Sequence, residues 1–144
     1  MRWTCAALAL QLIGYVFDVL WHAVLQPGAE PATLAEMVRH LATVHLALYI
    51  GAAMALVSTV VELLRRRRRR PVGNALPIAV TGAVVSCGAE GWHALSHLRL
   101  DTHAAPVAGI LSVIGFLVVV GAMVVDVRAA ARRNADTARA RRAA

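Results

Sequence analysis

Asp18 and His22 stand four positions apart, and Glu90, His93 and His97 follow one another at steps of three and four. On a helix such spacings put side chains on one face. Imidazole nitrogens and carboxylate oxygens together suit iron, copper, zinc and manganese. Glu90-x-x-His93 is also the pairing that four-helix di-iron bundles project inward from facing helices. His40, His45 and His103 complete the histidines of the chain. The expected ligand set is therefore Asp18, His22, His40, His45, Glu90, His93, His97 and His103, with iron or copper ahead of zinc. Five positions turn an α-helix by about 140°, so one of His40 and His45 is expected to face the site and the other a side wall or the mouth. Cys87 precedes Glu90 by one turn on the same stripe and is a further candidate, as a thiolate.

These residues need elements to hold them, and the elements are apolar. The chain has 144 residues, of which 59% are hydrophobic. A membrane helix needs about 20 predominantly apolar residues. Four segments reach that length, at 3–25, 40–64, 75–98 and 104–127. The expected fold is all-α: an integral membrane four-helix bundle over residues 1–128, followed by a basic cytoplasmic tail over 129–144. The first segment carries Asp18, Trp21 and His22 and lacks a small-residue cleavage site, so it is expected to stay as a span. Gln26, Pro27 and Gly28 open the first loop. Thr33-x-x-Glu36 reads as a capping box that starts the second helix before the membrane.

Charge orients the bundle. All fifteen basic residues are arginine, six of them in one run at 65–70 and six beyond residue 127. Arginine collects on the cytoplasmic side of membrane proteins, which puts that run, Arg2 and the tail inside. Glu62 and Asp126 are expected to pair with these arginines. The segregation argues for topology and anionic lipid as the role of the run, and against nucleic acid as a partner. The histidines then all fall in the extracytoplasmic half. Asp18 and Glu90 lie about two turns below the outer boundary. A carboxylate at the bilayer centre costs about 2.5–3.5 kcal/mol on insertion scales, so both are expected to face inward and find partners. Trp3, Trp21 and Trp92 fit interfacial belts. Gly14, Gly51, Gly88, Gly91, Gly115 and Gly121 are expected to let helices approach closely.

The halves of the chain resemble each other. Trp21-His22-Ala23-Val24 matches Trp92-His93-Ala94-Leu95, and His40 and His103 each open a span that closes on an acid. The expected arrangement is two parallel-repeat hairpins. The run Asp18-Val19-Leu20-Trp21-His22 resembles part of the copper site of membrane copper monooxygenases. That resemblance ends at His22, because the next histidine lies in another segment at a different spacing.

The reading that uses all of these residues is a redox metalloenzyme of the bacterial plasma membrane, with a di-iron or copper centre near the outer surface. A quinol or a partner protein would supply its electrons. A b-type cytochrome is the alternative in which two facing histidines ligate haem b. A non-enzymatic metal-binding or assembly subunit of a larger membrane complex, or a homo-oligomer, is the third. Transport would need a polar path through the inner half, which is nearly all apolar in sequence. Topology has a direct check: reporters fused at the C-terminus and after Arg70 should both show cytoplasmic activity, and periplasmic activity at either would reverse the outward placement of the histidines.

Overall fold

Apolar runs of this length fold as helices because a backbone in hydrocarbon must satisfy its own N–H and C=O groups. A computed structural model describes residues 2–28, 31–68, 73–100 and 105–143. Those residues form a four-helix bundle with no strand among them. The helices are α1 (Arg2–Leu25), α2 (Leu34–Arg67), α3 (Ala75–Leu98) and α4 (Ala105–Ala143). All four are long and apolar enough to cross a membrane.

Local chemistry sets the ends of α2 and α4. The Thr33 hydroxyl accepts from the Glu36 N–H at 3.3 Å, and the Glu36 carboxylate accepts from the Thr33 N–H at 3.2 Å. This capping box satisfies two otherwise orphaned groups, so α2 begins ahead of residue 40. No break separates α4 from the basic segment behind it. The helix runs for 39 residues, about 58 Å at 1.5 Å per residue, and carries the terminal arginines on its extension.

Packing is most extensive between α3 and α4, then between α1 and α2, with α2 against α3 joining the hairpins. Each hairpin crosses where a side chain is missing. A Cβ on Gly14 would sit 2.5 Å from the Leu48 nitrogen, and one on Gly51 would sit 2.5 Å from the Gln11 nitrogen. In the second hairpin a Cβ on Gly115 would sit 2.5 Å from the Ser86 nitrogen. Gly82 joins this crossing, although the sequence did not single it out. Gly88, Gly91 and Gly121 depart from expectation, because a Cβ on any of them would meet nothing within 4 Å.

Side-chain size is distributed the opposite way from a water-soluble bundle. Small residues such as Ala7, Ala52, Ala79 and Ala108 are buried, while Ile13, Val57, Ile110 and Leu117 are exposed. Large apolar patches in water drive association, whereas lipid solvates them, so this surface supports the membrane reading. At the end away from the histidines, Leu63, Leu76, Val119 and Met123 form an apolar cluster with neighbouring alanines. Arg66 closes that end by donating to Glu62 at 2.6 Å and to Asp126 at 2.7 Å, tying α2 to α4.

The Gly14 crossing makes a clean test. Gly14→Ala should lower stability in detergent by about 1–3 kcal/mol, the usual range for overpacking, because the new methyl meets backbone. Gly88→Ala, with open space around it, should leave the unfolding midpoint unchanged. Equal midpoints for the two variants would show that the crossing is not a tight contact.

Candidate metal centre

Two local departures from α-helical winding shape the loop end of the first hairpin, where α1 closes and α2 begins. A single π turn ends α1 at Trp21–Leu25, where the Gln26 N–H donates to the Trp21 carbonyl at 2.8 Å. A second π turn interrupts α2 at Leu41–His45. A π turn bonds i to i+5, so residues five apart come into line along the helix, and such turns recur at functional sites. His40 and His45 span the second turn, and their Nε2 atoms lie 3.2 Å apart. Both side chains are buried. Of the two places expected for the second histidine, a side wall or the mouth, the side wall is excluded: that expectation assumed α-helical winding, and the π turn aims both rings inward, with His40 beside the more exposed His22.

On α3 the winding stays regular, and the i, i+4 pair His93 and His97 meets Nε2 to Nε2 at 2.7 Å. Across the bundle, His45 stands between the two sets. Its ring centroid lies 5.0 Å from that of His40, 5.9 Å from His22, 5.1 Å from His93 and 5.4 Å from His97. His22 in turn lies 5.1 Å from His40. Two groups of potential ligand atoms result, each with its members within 4.8 Å of one another: His22, His40 and His45, and His45, His93 and His97.

The two expected carboxylate ligands, Asp18 and Glu90, belong to neither triad. Asp18 Oδ1 lies 3.3 Å from His45 Nδ1 and 3.5 Å from His22 Nε2. Glu90 is 3% exposed, and neither of its carboxylate oxygens has a hydrogen-bond partner among the described residues. A buried polar atom left without a partner costs about 1–3 kcal/mol, more for a charged group, so its retention calls for an explanation such as an ion. His93 Nδ1 and the Tyr49 hydroxyl are also buried without partners among the described residues. Tyr49 stacks on His45 with ring centroids 5.8 Å apart.

Sequence reasoning missed a polar ladder beneath the acids. Gln11 donates to Ser86 at 2.7 Å and to the Tyr15 hydroxyl at 3.0 Å. Ser112 hydrogen-bonds with Tyr15 at 2.6 Å and with Ser86 at 3.2 Å. Three helices are thus joined at mid-height, directly below Glu90. Extending the ligand stripes inward would have found two members, since Ser86 precedes Glu90 by four positions and Gln11 precedes Asp18 by seven. Cys87 is half-buried and belongs to neither triad. His103, the remaining expected ligand, lies outside the described residues, as does Asp101.

Comparison with known proteins adds no identification: no family model matches the chain, and no curated protein or solved structure gives a significant match.

Glu90 generates a prediction with opposite signs for stability and binding. Glu90→Gln removes a buried carboxylate that lacks a partner, so the metal-depleted protein should unfold at a higher temperature than wild type. Metal affinity should fall by about 10-fold or more, as when groups supporting a metal site are lost. Thermal unfolding with and without metal, beside a metal titration, checks both. A variant that is less stable when metal-free would make Glu90 a structural residue.

Proposed function

We propose that this chain is a membrane-embedded transition-metal protein, and that its centre serves redox chemistry near the outer face of the bilayer. The observation that carries this reading is the convergence of four imidazoles from three helices on the buried ring of His45. Hydrogen bonding alone does not account for it. Two facing imidazole nitrogens share one proton, whereas a cation takes a lone pair from each. The donor chemistry fits iron or copper, with zinc the further possibility on imidazole alone. A redox-active ion held there supplies one-electron chemistry, and electrons would come from a quinol or a partner protein.

The chain's own residues have definable tasks in this account. Asp18 orients the imidazoles of His45 and His22. Glu90, one helical turn from Ser86, holds or releases a proton next to the centre, and the Ser86, Ser112 and Tyr15 hydroxyls extend that route toward mid-bundle. Below them the apolar cluster around Leu63, Leu76, Val119 and Met123 seals the inner half. That seal favours chemistry at the outer face over transport through this chain. A substrate dissolved in the outer leaflet, such as a lipid, a quinone or a hydrocarbon, would reach the centre from the side. Placement in a bacterial plasma membrane completes the proposal, and the arginines alone carry its orientation, with both termini cytoplasmic.

The same packing favours a bare ion over haem b. A macrocycle needs a broad slot between two axial imidazoles, and here the other imidazoles fill the space around each pair. Protein purified in mild detergent should carry stoichiometric iron or copper and show no Soret band. His45→Ala should lose most of that metal, since His45 belongs to both triads. A Soret band would select the cytochrome, and full metal content in the His45→Ala protein would refute the proposed centre.

A further inference from the structure

Five imidazoles exceed the four positions of a tetrahedral ion and the three protein ligands usual at catalytic zinc, and they fall into two groups. His22, His40 and His45 form one, and His45, His93 and His97 the other. His45 belongs to both. Its Nδ1 lies 3.3 Å from Asp18 Oδ1, close enough for an ion pair but not aligned as a hydrogen bond, so the carboxylate occupies that side of the ring. Nε2 is then the metal-facing atom, lying 3.2 Å from His40 Nε2. One nitrogen lone pair holds one ion at a time, so the two triads cannot be filled together through His45.

The groups also differ in access. The His22 side chain is 42% exposed at the outer end of α1. His45, His93 and His97 are each 8% exposed or less. One triad thus has an edge open to the aqueous face, and the other is enclosed by the bundle. The rings of His40 and His97, one from each group, have centroids only 6.2 Å apart.

We propose that the two triads are successive stations for a single transition-metal ion. The outer triad captures the ion, and His45 carries it to the inner triad, where it is retained. As His22 and His40 let go, His93 and His97 take hold, so the ion is never without protein ligands. The inference rests on the metal reading above and adds to it an entry site, a direction and a limit of one ion.

Cobalt(II), whose visible bands report its coordination, is a suitable probe of the detergent-purified protein. Wild type should saturate at one cobalt per chain. His22→Ala should reach the same final occupancy but load at least about 10-fold more slowly in stopped-flow mixing, as expected when a supporting ligand is lost. His93→Gln should load at the wild-type rate and then surrender its cobalt to EDTA at least about 10-fold faster. His97→Gln should behave likewise, which guards against a folding defect in one variant. Two cobalt ions per chain, unchanged loading in His22→Ala, or undiminished retention in both inner variants would overturn the relay. If wild type binds no cobalt, iron or copper, the metal reading itself falls and the relay with it.

Discussion

A carboxylate or imidazole on a helix surrounded by hydrocarbon can be satisfied only by turning inward, and the outer half of this bundle follows from that constraint. In a bilayer, water would not reach Asp18 or Glu90, and lipid offers no hydrogen bonds. The helices must therefore rotate their polar stripes toward one another. Once they do, α1, α2 and α3 deliver five histidines and two acids into a space too small to keep them apart. The large apolar side chains are left outside, which suits a lipid solvent. Close glycine crossings at Gly14, Gly51 and Gly115 then set how near the stripes can come.

The bundle divides by height into three layers with different jobs. At the end where α1 closes and α2 begins is the imidazole cluster. At mid-height Gln11, Tyr15, Ser86 and Ser112 satisfy one another completely enough to fix the relative rotation of α1, α3 and α4. At the inner end an apolar cluster and the Arg66 bridge to Glu62 and Asp126 close the structure. Polar groups that are fully partnered rigidify a core, while partly satisfied ones carry a large cost. That contrast separates the mid-height ladder, which reads as scaffold, from Glu90 and its neighbours, which read as a site.

Most of the fold was legible because membrane helices are coded by length and apolarity, signals that survive in a single sequence. The third span, the capping box at Thr33 and Glu36, and the pairing of Glu62 and Asp126 with an arginine all rest on local patterns of this kind. The π turn at Leu41–His45 was not legible. Its i to i+5 winding depends on what His40 and His45 meet across the bundle, and an α-helical wheel sends the two apart. Gln11 was legible as a member of the Asp18 stripe, seven positions earlier, but its partners Ser86 and Tyr15 were not. Gly88, Gly91 and Gly121 erred the other way: glycine marks a close crossing only when its face is toward a neighbour, and sequence does not give the face. His103 has the composition of a ligand and lies outside the described residues.

X-ray absorption on the purified, metal-loaded protein tests the central claim most directly, because it reports the atoms around the ion rather than their consequences. Imidazole rings bound through one nitrogen give a distinct multiple-scattering pattern. The account predicts a first shell of nitrogen or oxygen at about 2.0–2.1 Å, with scattering from at least three imidazoles, diminished in the His45→Ala protein. A shell of oxygen donors without imidazole scattering would contradict it, and the convergence on His45 would then be a hydrogen-bonded plug in a structural subunit.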